Sequence, residues 1–188
     1  MKKRGNKKFK FETKRTNYDS EIVLLIEDYE NIYSDFDIRP YSHRALSADF
    51  LDELKRASMD KSFEKLDLKL LITKDKRNTK EEAIIEKRLN GHFNHHYKLL
   101  LNEKKVTTKK GTLFVFFGIL IMVIATYVLF YYGEKDLITT FLVILLEPGG
   151  WFLFWEGLDL VLFGFKHIEN DLNFYKKMAK CDVTFYSY

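Results

Sequence analysis

The feature that most constrains this chain is an uncharged apolar run from Thr112 to Tyr132. The run contains 21 residues, TLFVFFGILIMVIATYVLFYY. About 20 apolar residues of α-helix are enough to cross the hydrocarbon core of a bilayer. We therefore predict a transmembrane helix over residues 111–132. A second apolar run follows after a short polar turn, and it predicts a second transmembrane helix over residues 137–163.

Two spans joined by so short a turn form a helical hairpin, so both chain ends lie on the same side. The turn holds one basic residue, Lys135, whereas lysines cluster beside the outer ends of the two spans. These lysines are Lys104, Lys105, Lys109, Lys110, Lys166, Lys176, Lys177 and Lys180. The positive-inside rule then places both termini in the cytoplasm. A single cysteine, Cys181, excludes an internal disulfide, as expected in a reducing compartment.

The polar remainder of the chain is long enough for one compact α/β domain. Residues 21–28 form a short apolar segment, residues 66–73 alternate between apolar and polar positions, and the last eight residues alternate again. These patterns predict about three strands, drawn from both ends of the chain. We expect residues 18–78 to form the first part of a cytoplasmic domain. Residues 166–188 would complete it with a helix and a strand.

A long helix is predicted between this domain and the first span. Thr79 and Glu82 match a capping box, T-x-x-E, at its start. Apolar residues then recur at helical spacing, and no proline interrupts them. We therefore predict a stalk helix over residues 79–110 that continues into the first span, with a kink near Gly111. Before the stalk, Ser47 is the predicted N-cap of a shorter helix.

The first 17 residues carry eight basic side chains and one acidic side chain. This composition predicts a disordered basic head over residues 1–17, and the absence of an apolar segment argues against a secretory signal. Lysine and arginine near a membrane surface attract anionic lipids, which are the expected partners of the head. No recognised nucleic-acid-binding fold accompanies it, so no nucleic acid is expected as a partner.

The second span contains an acid and a helix breaker, Glu147-Pro148-Gly149-Gly150. Ten residues beyond Leu137, at about 1.5 Å each, the Glu147 carboxyl would lie near the bilayer midplane. Proline removes a helical hydrogen bond, so we predict a helix break here. One interpretation is an ion or proton site, made into a ring by oligomerisation. The favoured interpretation is a protonated Glu147 that hydrogen-bonds a neighbouring helix or the carbonyl that the proline leaves free, with the glycines permitting close helix packing.

Four charged residues lie where the two spans are expected to leave the membrane. Glu156 and Asp159 are one helical turn apart, and Lys109 and Lys110 precede the first span at a similar depth. We predict an interfacial cluster of ion pairs that locks the hairpin. The alternative is a vestibule that attracts cations.

Trp151 and Trp155 are spaced by one turn near the same boundary, which is typical of an interfacial aromatic belt. With Gly150, Leu158 and Asp159 they form the pattern G-W-x3-W-x2-L-acid. In this pattern the chain resembles a family of small, uncharacterised two-span membrane proteins of prokaryotes. The resemblance implies the two-span topology and a multi-pass protein of the plasma (inner) membrane of a prokaryote. It implies no activity.

His92 and His96 share one face of the stalk helix at the spacing that can present two imidazoles to a metal ion. Neither HExxH nor CxxC is present to complete such a site. We therefore expect packing histidines and no metal or cofactor, with a pH-responsive interface as the alternative. Ser42 and His43 are a nucleophile and a base, but neighbours in sequence rarely face each other productively. No catalytic residues are predicted, and we do not expect an enzyme.

These features predict a homo-oligomeric integral membrane protein without enzymatic activity. It would act as a membrane-anchored structural or signalling module, with a cytoplasmic domain that binds a cytoplasmic protein partner. The alternative is an oligomeric pore or ion-conducting effector, lined by the second span with Glu147.

Overall fold

The computed structural model describes residues 20–59, 61, 66–133 and 136–188. The predicted basic head, residues 1–17, lies outside the described residues. The chain forms two compact units. One unit, here called the α/β unit, takes the described residues up to Ala83 together with Cys181–Tyr188. The other, the helical unit, is Ile84–Lys180.

A three-stranded sheet is the centre of the α/β unit. Its strands are β1 (Glu21–Leu25), β2 (Asp67–Ile72) and β3 (Asp182–Ser187), in the order β1-β2-β3 and all parallel. Helix α1 (Ala48–Ser58) lies in the connection from β1 to β2. The prediction of one sheet built from both ends of the chain is confirmed.

The register of the sheet explains which side chains form its core. Ile22 of β1 is opposite Leu68, and Leu68 is opposite Val183 of β3. All three are buried, as are Leu70 and Ile72, the alternate residues of β2. Successive side chains of a strand point to opposite faces, so the period-2 pattern of β2 sets one buried face.

Helix α2 (Thr79–Tyr132) is continuous over 54 residues, which corresponds to about 80 Å. It begins beside Asn78, whose side-chain oxygen accepts a hydrogen bond from the Lys80 amide at 3.1 Å. The predicted capping box of Thr79 and Glu82 is wrong, because the Glu82 carboxylate accepts its hydrogen bonds from the side chains of Arg77 and Tyr29. Gly111 lies inside the uninterrupted helix.

The helical unit continues with α3 (Leu137–Leu162) and α4 (Glu169–Met178). Gly133 ends α2 with a φ of 60°, a conformation that glycine adopts without a steric penalty. Asp136 caps α3 by accepting a hydrogen bond from the Thr139 amide at 2.9 Å. By length and composition, α2 and the helix that begins at Leu137 could each cross a membrane.

Residues Pro148 to Gly150 lie inside α3, which continues on both sides of them. The predicted helix break is therefore wrong. A proline withdraws one backbone donor and fixes its own φ near the helical value, so a helix that is packed along its length can contain one. Here the packing is supplied by close contact between α2 and α3.

Candidate functional site

The two long helices meet along a row of residues, most of which are small. On α2 the row is Gly111, Gly118 and Ala125, and on α3 it is Val143, Gly150 and Gly157, with successive members seven positions apart. All six residues are buried. Small residues allow two helix backbones to approach closely, which is how helices associate in lipid.

A methyl group added at a glycine of this row shows how closely α2 and α3 approach each other, because it would collide with the facing helix. A Cβ atom added at Gly118 would lie 2.6 Å from the backbone nitrogen of Phe154, and one added at Gly157 would lie 2.6 Å from that of Val115. Neither position can hold a side chain unless the helices move apart. A Cβ atom added at Gly150 would lie 2.7 Å from Cγ of Met122, whereas one added at Gly149 would have no neighbouring atom within 4 Å.

Glu147 lies on the exposed surface of α3, as do Pro148 and Gly149. No hydrogen bond or ion pair of its carboxylate is found within the described part of the chain. Within the described residues, Glu147 therefore makes neither of the hydrogen bonds of the favoured interpretation, to a neighbouring helix or to the freed carbonyl. The other half of that interpretation is correct for one glycine, because Gly150 is buried against α2.

The charged residues near the ends of the predicted spans do not pair with each other. Glu156, Asp159, Lys109 and Lys110 are all exposed, and no ion pair within 4 Å joins them in the described ranges. The predicted ion-pair cluster is therefore wrong. The Lys110 ammonium instead lies 5.6 Å from the ring centre of Phe114, one turn along the same helix.

Trp151 and Trp155 are exposed, and their rings stack with centres 6.0 Å apart. The ring of Phe154 meets both of them edge-on. Together they form a continuous aromatic surface on the outside of α3. Whether this surface lies at a membrane boundary stays a prediction.

The histidines of α2 form a stacked aromatic group with α4. The rings of His92 and His96 are 4.3 Å apart, and His96 stacks on Tyr175 at 5.0 Å. Burial, with the nearby His96, Arg88 and His95, lowers the pKa of His92 to about 4. No group of three or more His, Cys, Asp or Glu side chains that could hold a metal occurs within the described residues. The structure therefore gives His92 and His96 contacts that suit packing.

A buried polar network lies at the start of α2. Glu82 accepts two hydrogen bonds from the Arg77 guanidinium, both at 2.8 Å, and one from the Tyr29 hydroxyl at 2.9 Å. The Tyr29 oxygen in turn accepts a hydrogen bond from the Asn78 amide. The Arg77 guanidinium holds the pKa of Glu82 below its usual range. The network fixes the first turn of α2 to the segment that follows β1.

The loop between β1 and α1 holds two apolar side chains almost fully in solvent. Phe36 is 98 % exposed and Ile38 is 97 % exposed. Between them, Asp37 accepts hydrogen bonds from the Arg39 side chain and from the backbone amides of Arg39 and Ala45. The loop is therefore held by its own polar contacts, while the side chains of Phe36 and Ile38 are exposed to solvent. Sequence analysis missed this feature, although the alternation of acids and apolar residues in 34–40 is visible there.

Ser42 and His43 do contact each other, contrary to expectation, with the hydroxyl 2.8 Å from Nδ1. Both residues are exposed. A nucleophile and base of this kind need a third group that orients the base and donors that stabilise an oxyanion. The described residues provide the His43 ring with no such orienting partner. The pair is therefore a local surface contact.

The row of glycines was also missed, although its signal is plain in the sequence. Gly111 and Gly118 are seven residues apart, as are Gly150 and Gly157, and Gly164 continues the second series. Glycines at that spacing lie close to one line along a helix. The spacing could have predicted the packing face of the hairpin.

Comparison with protein-family models finds no model that matches this chain. No curated protein matches it either. No solved structure matches it. The resemblance to the two-span family therefore stays a prediction.

Proposed function

We propose that this protein is a membrane-anchored structural or signalling module. Helices α2 and α3 would cross the bilayer as a hairpin, and the α/β unit would act in the cytoplasm. The observation that carries the proposal is the exposure of the apolar helices. Only 11 % of the most apolar window of each helix is buried, whereas the core helix of a soluble protein is mostly buried. Such a surface is stable in lipid and not in water.

The continuity of α2 supports a coupling role. Its first turn belongs to the α/β unit through Glu82, and the same helix carries the apolar run. A change in the buried network at Glu82 would therefore act directly on a helix that continues into the membrane. The exposed loop with Phe36 and Ile38 is the surface on which we expect a cytoplasmic protein partner to bind.

We expect the module to be a homo-oligomer in the plasma membrane of a prokaryote, with both termini in the cytoplasm. The distribution of lysines supports the orientation, and the resemblance in the tryptophan pattern supports the membrane. The exposed carboxyl of Glu147 supports the assembly. An acid near the middle of a span costs about 3 kcal/mol on insertion scales, and a second copy could supply a hydrogen-bond partner.

Cysteine accessibility tests the topology. The native Cys181 is buried, and burial raises the pKa of its thiol to about 12. It should therefore not react with a maleimide in the folded protein. New cysteines are introduced singly as Lys135→Cys in the turn and Tyr188→Cys at the end of the chain. A membrane-impermeant maleimide should label the first in intact cells and the second only after permeabilisation. Labelling of both in intact cells would contradict the proposed topology.

An oligomeric pore is the second candidate, and the exposure of Glu147 favours it. In an oligomer with Glu147 facing a central axis, several carboxylates would form a ring that attracts cations. Liposomes that contain the purified protein should then conduct cations, and Glu147→Gln should reduce the flux. Glu156→Gln is the matched control, because it removes the same charge from an exposed position nearer the end of α3. Vesicles that stay impermeable with the native protein would exclude the pore.

A further inference from the structure

A basic cleft lies between α2 and α4 within the helical unit. Its volume is about 520 Å³. Three lysines of α2 and one of α4 line it, namely Lys104, Lys105, Lys109 and Lys176. Thr108 and Asn173 add a hydroxyl and a side-chain amide, and no acidic residue is part of the lining.

The positive charge of the cleft is not neutralised by carboxylates. Within the described residues, none of the four lysines has a carboxylate partner within 4 Å. The nearest acid along α2, Glu103, lies 3.6 Å from the imidazole of His167. The Lys104 ammonium lies 4.0 Å from the ring centre of Phe165, a contact that orients it without removing its charge. A concave site with one sign of charge concentrates counter-ions.

The position of the cleft on α2 indicates which anion it would meet. Its lining ends at Thr112, the first residue of the charge-free apolar run. In a hairpin that spans the bilayer, this is the level of the lipid headgroups. The wall also contains apolar side chains, Leu101 and the buried Leu172, beside the ammonium groups. Ammonium groups above an apolar wall suit a phosphate with a glycerol and acyl chain attached.

We propose that this cleft binds the phosphate group of an anionic phospholipid. The lysine ammonium groups would contact the phosphate oxygens, with Thr108 and Asn173 as neutral donors. The identification of the ligand as a lipid rests on the proposed membrane hairpin. The chemistry of the site, a phosphate held by ammonium groups, does not.

The test measures binding of phosphatidylglycerol and phosphatidylcholine to the full chain in a neutral detergent, by native mass spectrometry or lipid exchange. The native protein should prefer phosphatidylglycerol. The variant Lys105→Gln/Lys109→Gln/Lys176→Gln should lose about a hundredfold in that affinity, about fivefold for each lysine. The variant with arginine at the same three positions should retain it, which separates lost charge from lost folding.

The matched control is Lys87→Gln/Lys98→Gln/Lys180→Gln, which removes the same charge from exposed positions outside the cleft. It should bind phosphatidylglycerol as the native protein does. An equal loss in the control would overturn the proposal, because attraction would then follow net charge alone. Equal binding of both lipids by the native protein would overturn it as well.

Competition with inorganic phosphate and glycerol phosphate distinguishes the two sources of a phosphate group. Weak competition supports the lipid, and competition as strong as that of phosphatidylglycerol would overturn the lipid in favour of a soluble phosphate. Because binding is measured in detergent, it does not require the hairpin to span a bilayer. Alkaline extraction of native membranes reports on the hairpin separately, so the failure of one proposal can be told from the failure of the other.

Discussion

Glu82 is the residue on which the start of α2 most depends. It is buried, and three hydrogen bonds from Arg77 and Tyr29 satisfy its carboxylate. A buried group that loses its partner costs the full desolvation penalty of that group. Removing Glu82 therefore leaves two donors, one of them charged, without their acceptor.

We predict that Glu82→Ala lowers the stability of the α/β unit by about 2–3 kcal/mol. Hydrogen exchange of the β2 amides measures this. The control is Glu53→Ala, which removes an exposed ion pair of 3.3 Å to Arg56, and its effect should be below about 0.5 kcal/mol. Equal effects of the two substitutions would show that the network contributes no more than a surface pair.

His92 makes the helical unit sensitive to acid. Its folded-state pKa of about 4 lies below its ordinary value of 6.5 because burial and the nearby His96, Arg88 and His95 disfavour the charged ring. The unfolded chain therefore binds the proton more readily. The contribution of the neutral His92 ring to the free energy of unfolding is fully present above pH 6.5. It is lost as the pH falls from 6.5 towards 4.

We expect this loss to be about 1–2 kcal/mol, since the ring is only partly shielded from solvent. Thermal unfolding in detergent across this pH range measures it. His92→Gln, which does not titrate, should flatten the dependence, whereas His43→Gln, at an exposed position outside this group, should leave it. A steep acid dependence that survives in His92→Gln would assign the effect to other groups, of which His96 is the neighbouring imidazole.

Each long helix has a glycine that packs against the other helix and a glycine that faces open space, and the second serves as a control for the first. In α2, a methyl group added at Gly91 would have no neighbouring atom within 4 Å, whereas one added at Gly118 would meet the backbone of α3. In α3, Gly149 and Gly150 differ in the same way. One substitution, glycine to alanine, should therefore have opposite effects within one helix.

We predict that Gly91→Ala and Gly149→Ala stabilise the protein by up to about 1 kcal/mol, because alanine is the better helix former. Gly118→Ala and Gly150→Ala should destabilise it by about 1–3 kcal/mol, because the added methyl separates the helices. Unfolding in detergent measures both effects. The close approach of the helices is refuted if all four variants are stabilised.

Secondary structure could be predicted from sequence where periodicity decides it. The alternation of Leu68, Leu70 and Ile72 predicted β2, and apolar residues at helical spacing without a proline predicted that α2 continues past Gly111. Local signals failed where a tertiary contact competed with them. Glu82 matched a capping box, but Arg77 and Tyr29 take its carboxylate.

The candidate site was predicted less well for the same reason. Pro148 predicted a helix break because proline lacks a backbone N–H donor. The helix continues because α2 packs against it at Gly150, a contact that Pro148 itself does not indicate. Opposite charges at similar depth indicated ion pairs, but Glu156 and Lys109 do not come together. The sequence gives the position of a side chain along its helix. The direction in which that side chain points depends on how each helix is rotated about its own axis when the two helices pack, and a single helix does not reveal that rotation.

At the scale of the whole molecule, the α/β unit depends on the last strand of the chain. β3 pairs with the central strand β2 over six residues, Asp67–Ile72 with Asp182–Ser187. Without β3, β2 becomes an edge strand and the core loses Val183. Two strands alone are marginally stable in water.

We predict that a stop codon after Lys180 makes the α/β unit sensitive to protease and abolishes slow hydrogen exchange in β1 and β2. A stop codon after Ser187, which removes only the exposed Tyr188, should leave both properties unchanged. Protease resistance of the remaining unit without β3 would mean that the first two strands are stable by themselves.

The parallel pairing of β3 with β2 has a consequence for biosynthesis. A ribosome makes β1 and β2 early, then more than a hundred residues that include both long helices, and only afterwards the strand that completes the sheet. The α/β unit therefore cannot finish folding until the hairpin has left the ribosome. Until then, the edge of β2 is open to chaperones, and a chain whose translation stops early has an unfinished domain.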